Sequence, residues 1–172
     1  MIEDKLHYKT EWIIRRYAND EAFKSGTPTP VIGGDGAELP AVSVIEGNLL
    51  LDEGIGELWD LACGLGSPTA FNNANARLGV GDSSAAEDAT QTDLQAASNK
   101  TYKAMEVSYP SRAAQAVTWR SVFSSADANY DWNEFVVDNG ATALKTLNRK
   151  VSAQGTKASG QTWTLDLSIT LS

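Results

Sequence analysis

The chain has little of the chemistry on which most enzymes depend. Among its 172 residues there are one cysteine, Cys63, and one histidine, His7. A single cysteine excludes an internal disulfide, and a single histidine excludes a histidine metal cluster and leaves a nucleophile without its usual base. We therefore expect a protein that is not an enzyme and that holds no metal and no cofactor. Because Cys63 lies in an apolar helical pattern, we expect its thiol to be buried.

Basic residues and long apolar runs are also scarce. The chain has 14 Lys and Arg against 22 Asp and Glu, a net charge of −8. Since neutralising phosphates requires clustered Lys and Arg, we expect no direct nucleic-acid partner. No apolar run approaches the roughly eighteen residues of a membrane span, and the first residues do not resemble a secretory signal. We therefore expect neither membrane insertion nor conventional secretion.

The clearest positive pattern is a strict alternation over residues 162–172. Polar residues alternate there with an apolar set: Trp163, Leu165, Leu167, Ile169 and Leu171. Successive side chains of a strand point to opposite faces, so the alternation predicts one apolar and one polar face. We expect this strand to lie at or near the middle of an antiparallel sheet.

Further segments predict more strands and one helix. Short runs of strand-forming residues between turn signals predict strands near residues 42–44, 76–80, 100–107, 116–123, 130–137 and 144–151. We expect segments 116–123 and 130–137 to pair as a hairpin. After a cap at Asn48, apolar residues at helical spacing predict a helix that ends near Cys63, with Trp59 in the core. Gly54 and Gly56 inside it indicate a late start or a close neighbouring backbone.

These elements together predict the fold class. We expect a mainly β protein: an antiparallel, jelly-roll-like β-sandwich with one amphipathic helix, an N-terminal strand and an extended arm. Residues 1–45 form the strand and arm, and residues 46–172 form the sandwich domain. The arm is predicted at residues 18–40, which are rich in Gly, Pro, Asn and Asp.

The N-terminal segment also supplies the predicted interface. Alternation from Tyr8 to Ile14 favours a strand over a less regular helical pattern. Trp12 lies beside basic residues in a segment that a small sandwich does not need, which is typical of an aromatic anchor at a protein interface. The predicted interface residues are Tyr8, Trp12, Ile14, Pro28 and Pro30.

Other features that could carry chemistry have simpler explanations. The glycine-rich residues 79–83 lack the lysine of a P-loop and the third glycine of a dinucleotide fingerprint, so we expect a tight turn. The acidic residues between 52 and 60 are expected on the solvated face of the helix. Asp82 and Asp88 could supply calcium ligands, although their spacing matches no EF-hand. Trp59, Trp119, Trp132 and Trp163 are expected in the core rather than on a sugar-binding surface.

An ordered set of short segments between residues 46 and 172 resembles a family of tailed-bacteriophage virion structural proteins. The segments are 48–55 (NLLLDEGI), 69–75 (TAFNNAN), 78–83 (LGVGDS), 91–94 (QTDL), 102–105 (YKAM), 147–150 (LNRK), 155–157 (GTK) and 162–165 (TWTL). The resemblance implies a protein of the virion surface, described for such proteins as head decoration (cement) or as tail and fibre components. It implies no catalytic residues.

The resemblance and the residue patterns lead to one main expectation and two alternatives. We expect a capsid decoration protein, a homotrimer, that binds the major capsid protein on the outer surface of the capsid. The first alternative is a tail or fibre-attachment component, and the second is a carbohydrate-binding module. Tryptophans exposed near Asp52 or Asp82 would favour the carbohydrate-binding module.

Overall fold

A computed structural model describes residues 7–172 and confirms a mainly β, antiparallel sandwich. The strands in chain order are β1 (Tyr8–Tyr17), β2 (Val31–Ile32), β3 (Glu38–Leu39), β4 (Val42–Glu46), β5 (Leu49–Leu50), β6 (Arg77–Gly81), β7 (Lys100–Ala104), β8 (Ser111–Ala113), β9 (Ala116–Phe123), β10 (Glu134–Asp138), β11 (Thr146–Val151) and β12 (Thr162–Leu171). The helices are α1 (Asp20–Ser25) and α2 (Asp52–Cys63).

The strands form two five-stranded sheets and a small hairpin. One sheet has the order β4-β1-β12-β9-β8, the other has the order β5-β11-β10-β6-β7, and β2 pairs with β3. The strand predicted at the end of the chain is β12, which lies in the middle of its sheet between β1 and β9. Its alternation has the expected effect, since Trp163, Leu165 and Leu167 are fully buried in the core.

The expected hairpin between residues 116–123 and 130–137 is wrong. β9 pairs with β12 and β8, whereas β10 pairs with β6 and β11 in the opposite sheet. The apolar faces of the two segments meet across the core, where the rings of Phe123 and Trp132 lie 4.8 Å apart edge to face. Apolar alternation predicted both strands, but it does not distinguish side-by-side pairing from face-to-face packing.

The N-terminal strand is confirmed, but it is a central part of the sandwich. β1 pairs along its whole length with β12 and along half of it with β4, which spans the expected boundary at residue 45. Residues 18–41 follow the surface instead of projecting from it. Val31 and Leu39 are buried against the core, and the backbone N–H of Gly34 donates to the carbonyl of Thr156 (2.9 Å). Residues 7–45 therefore belong to the sandwich.

Buried ion pairs hold the outer faces of both sheets. Asp166 on β12 accepts hydrogen bonds from Arg15 (2.6 Å) on one side and from Arg120 (2.7 and 2.5 Å) on the other. On the opposite sheet, Glu134 and Arg149 are both fully buried and 2.8 Å apart. Buried charges of this kind persist only when they are paired and hydrogen-bonded.

The Glu134–Arg149 pair also fixes a long irregular segment, residues 82–99, against the second sheet. The carboxylate of Glu134 accepts hydrogen bonds from the backbone N–H groups of Gln95 (2.9 Å) and Ala96 (2.7 Å). Arg149 donates to the carbonyl of Ala85 (3.0 Å) in the same segment. The charge pair therefore helps to order a segment without helix or strand, because it satisfies backbone groups that have no partner in a sheet. The carbonyls of Ala89 and Thr92 also accept hydrogen bonds, from Asp52 and Thr146.

Candidate functional site

Helix α2 packs on the sandwich through the side that carries Gly54, Glu57 and Leu61. Gly54 lies so close to β11 that a Cβ atom there would come within 2.6 Å of the carbonyl oxygens of Thr146 and Leu147. Glu57, three residues later and therefore on the same side, is buried and accepts hydrogen bonds from the backbone N–H of Thr69 (2.7 Å) and from Asn139 (2.9 Å). This side consequently faces the protein, and the apolar stripe of the helix faces outward.

The outward stripe consists of Ile55, Leu58, Trp59 and Ala62. Trp59 is 64% exposed, and Ile55 and Leu58 are each more than one-third exposed. Their spacing places all four side chains on one helical face. An exposed apolar surface of this kind marks a contact site more often than it marks ordinary protein surface, because single apolar residues are common outside but contiguous ones are not.

Beside this stripe lies a cavity of about 470 Å³, which we call the α2 groove. The stripe forms one wall, and the ends of the two sheets supply the remaining lining: Tyr8, Leu50, Leu147, Ile169 and Leu171. Leu147 and Ile169 are members of the main core, so the groove is an opening at one end of the sandwich that reaches the core itself. Such a site offers an apolar side chain a place to be buried.

The groove contains few groups that could make a hydrogen bond. Among residues 7–172, the lining holds only the hydroxyl of Tyr8 and the indole N–H of Trp59 as polar side-chain groups. The hydroxyl of Tyr8 already donates to Asn48 Oδ1 (2.9 Å), and burial raises the pKa of this phenol. The groove therefore suits an apolar ligand much better than a polar one.

The charge of α2 is entirely acidic. The helix carries Asp52, Glu53, Glu57 and Asp60 and no basic residue. Glu53 accepts a hydrogen bond from the backbone N–H of Thr146 (2.7 Å) and lies 3.7 Å from Lys145, while Glu57 is buried. Among residues 7–172, Asp52 and Asp60 join no ion pair. Asp52 is exposed beside the stripe and gives it an acidic border.

The predicted interface residues do not form one surface. Trp12 and Ile14 are both 0% exposed and lie in the core, so their prediction as interface residues is wrong. They are buried because β1 has a neighbouring strand on each side and a second sheet over its inner face. Tyr8 lines the α2 groove, whereas Pro28 and Pro30 lie near the other end of β1, roughly 25–30 Å away at the rise of a strand.

Other sequence predictions are corrected by the structure. Cys63 is exposed rather than buried, because α2 turns that side outward. Gly79 and Gly81 lie within β6 rather than in a turn. A Cβ atom at Gly79 would come within 2.8 Å of the Tyr102 ring, so this glycine leaves room for a neighbouring side chain. The acidic residues of α2 are not all solvated, since Glu53 and Glu57 bond to the protein.

The charged side chains of the polar cavity are already paired. A polar cavity of about 730 Å³ has Arg77 and Lys145 in its lining, but Arg77 makes a two-bond pair with Asp138 (3.0 and 2.7 Å) and Lys145 faces Glu53. His7 is exposed at the start of β1. Among residues 7–172, no three His, Cys, Asp or Glu side chains are placed to hold a metal ion together. Asp82, a candidate calcium ligand, therefore belongs to no such group.

Sequence reasoning missed the outward direction of the α2 stripe, although a signal for it was present. Gly54 inside a helix indicates the close approach of a neighbouring backbone, and that approach defines the buried side of the helix. Trp59 follows five residues later, about 140° around the helix, and cannot face the same neighbour. Reading the glycine as the contact side would have predicted an exposed Trp59.

Comparison of the chain with protein-family models, with curated proteins and with solved structures gives no match. Within the part of the chain that the structure describes, neither helix is long and apolar enough to cross a membrane.

Proposed function

We propose that the protein is a structural binding module whose role is to decorate a phage capsid, where it binds the major capsid protein lattice on the outer surface. The observation that carries this proposal is the outward apolar stripe of α2 beside a groove that reaches the core. A surface of this composition is suited to protein docking. The resemblance of residues 46–172 to virion structural proteins supports the choice of a capsid partner.

The proposal includes a homotrimer that binds around a local threefold axis, as symmetric lattice proteins commonly do. Sedimentation equilibrium of the purified chain and threefold density in a cryo-EM map of the decorated particle test the trimer in solution and on the lattice. A monomer at all concentrations in solution, together with no threefold density on the particle, would contradict it.

The capsid assignment is tested by adding the purified full chain to particles of a phage that encodes it, after its accessory proteins have been removed. Saturable binding over the whole head, with copy numbers in the hundreds, is the expected result. Binding restricted to the tail, or a few dozen copies per particle, would instead favour the tail or fibre-attachment alternative. No binding to either would remove the virion role.

One observation favours the alternative of a carbohydrate-binding module. Trp59 is exposed and lies two helical turns from Asp52, which is the arrangement that this alternative requires. A sugar site also needs polar partners around the aromatic ring, and the α2 groove has almost none, because the Tyr8 hydroxyl is already bonded to Asn48. A glycan array probed with the full chain decides between the capsid role and the sugar site. Glycan binding that is lost in Trp59→Ala would support the sugar site.

A further inference from the structure

We propose that the α2 groove binds a short segment of a partner protein that carries bulky apolar side chains flanked by Lys or Arg. This inference rests on the proposed docking function and specifies the chemistry of the partner. The inference can be tested without a natural partner, because the features that would bind the segment are the shape, the apolar lining and the acidic border of the groove.

The depth of the groove determines the apolar part of the ligand. Its floor is formed by Leu147 and Ile169, which are almost completely buried, and its wall by Trp59, which is mostly exposed. A side chain that enters between them gains contact with the core below and with the indole beside it. Aromatic residues such as Trp59 are the ones that most often dominate binding energy at protein interfaces.

The size of the groove favours a segment over a second copy of this chain. A stable interface between two folded domains buries about 800 Å² on each partner and involves about 20–30 residues a side. Nine residues of the part of the chain that the structure describes line the groove, including Tyr8 and Leu171 from the strand ends. A site of this extent matches the few anchor residues of a peptide that lies in a groove.

The charge around the groove also favours a partner segment over a second copy of this chain. α2 has no basic residue, Asp52 borders the stripe, and the whole chain has a net charge of −8. Two copies that met through this face would bring Asp52 towards a like-charged surface, whereas a basic flank on a partner segment would meet an opposite charge. Lys145, which directly precedes β11, lies 3.7 Å from Glu53.

The test uses two synthetic 14-residue amphipathic peptides, one of Leu and Lys and one of Leu and Glu in the same order, with the full-length protein. Fluorescence anisotropy of labelled peptide gives the dissociation constant. The Leu/Lys peptide is expected to bind, Trp59→Ala is expected to weaken that binding about tenfold, and Asp52→Asn is expected to weaken it less. Val107→Ala is the matched control, since Val107 is 87% exposed and lines no part of the groove.

Several outcomes would overturn the proposal. Equal affinity of wild type and Trp59→Ala would mean that the peptide binds by charge alone, and equal affinity for the Leu/Glu peptide would contradict the basic flank. Self-association that is lost in Trp59→Ala would assign the groove to a second copy. Peptide binding that appears only after residues 1–6 are removed would assign the groove to residues 1–6 of this chain. Capsid binding without peptide binding would overturn this inference alone, and the reverse result would overturn the capsid role alone.

Discussion

At the scale of single residues, tryptophan burial separates the core of this protein from the exposed stripe of α2. Trp12 is fully buried and its ring lies 5.8 Å from that of Phe135, in a cluster that also contains Trp132 and Trp163. Trp59 is largely exposed on α2. The same residue type therefore stabilises the fold at one position and is available for contact at the other.

This contrast predicts opposite effects of the same substitution. Trp12→Ala is expected to lower the free energy of unfolding by about 3–5 kcal/mol, because it removes a large buried ring and leaves a cavity. Trp59→Ala is expected to change it by no more than about 0.5 kcal/mol, since most of its surface already contacts water. Urea denaturation of both variants measures the difference. Similar losses of stability in the two variants would contradict the assignment of Trp59 to a contact surface.

Lys157 gives the protein a stability that depends on pH. Its side chain is buried and donates to the carbonyl of Ser124 and to Asn129 Oδ1, both at 2.8 Å, and burial lowers its pKa from 10.5 to about 8. Between these two values the unfolded chain binds the proton more strongly than the folded chain. The unfavourable contribution of Lys157 is therefore complete below about pH 8 and decreases as the pH rises towards 10.5.

The expected result is a gain attributable to Lys157 of about 2 kcal/mol in the free energy of unfolding between pH 7.5 and pH 9.5. Lys157→Met should remove this gain, so the difference between wild type and variant isolates it from other titrating groups. Guanidinium denaturation at the two pH values measures the change in the free energy of unfolding for wild type and for the variant. Parallel pH profiles of wild type and Lys157→Met would show that the lysine keeps an ordinary pKa.

At the scale of elements, the direction in which α2 presents its apolar stripe depends on Gly54. A Cβ atom at Gly54 would overlap the β11 backbone, whereas a Cβ atom at Gly56 would meet nothing within 4 Å. Gly54→Ala is therefore expected to destabilise the protein by about 1–3 kcal/mol through overpacking. Gly56→Ala is expected to stabilise it by about 0.5–1 kcal/mol, because alanine favours the helix.

Thermal unfolding of the two glycine variants provides the measurement, and each is the matched control of the other. A stabilising effect of both would show that α2 does not lie against β11. The pair also tests the site, because a helix displaced by Gly54→Ala would widen the α2 groove and change peptide binding, while Gly56→Ala would leave it unaltered.

The Glu134–Arg149 pair contributes to the order of the irregular segment 82–99. Glu134→Gln leaves the buried guanidinium of Arg149 without its counter-charge, so a loss of about 3–5 kcal/mol is expected. The amides of Gln95 and Ala96, which donate to Glu134, should exchange hydrogen faster. Lys145→Met is the control, because its partly exposed pair with Glu53 at 3.7 Å is worth about 1 kcal/mol or less. Unchanged exchange at Gln95 and Ala96 would mean that other contacts hold the segment.

At the scale of the whole molecule, local patterns predicted elements well and their arrangement less well. The alternation around Trp163 predicted β12 and its central position, and Gly64 in the left-handed conformation ends α2 where the sequence predicted. Strand partners depend on residues that are distant in the chain, and so does the neighbour that Gly54 packs against, which is Leu147 on β11. A pattern within one segment carries no information about such partners, so the core position of Trp12 and the groove could not be predicted from it.

The position of β1 leads to a prediction for the whole molecule. Residues 1–40 contain β1, which pairs with both β4 and β12 and supplies Trp12 and Ile14 to the core. A chain that lacks these residues should therefore lose its cooperative thermal transition and its near-ultraviolet circular dichroism, because the sheet is split and the core is opened. Loss of capsid binding by such a chain would report unfolding and not the loss of a docking arm.

Complementation provides the matched control for this deletion. A synthetic peptide of residues 1–40, mixed with the chain that begins at residue 41, should restore the near-ultraviolet signal because β1 can again pair on both sides. Restored dichroism that is absent when the peptide carries Trp12→Ala would show that packing, and not pairing alone, drives the assembly. A shortened chain that unfolds cooperatively without the peptide would instead mean that the second sheet and the remaining strands form a stable core by themselves, and the N-terminal strand would then be free to serve as a detachable arm.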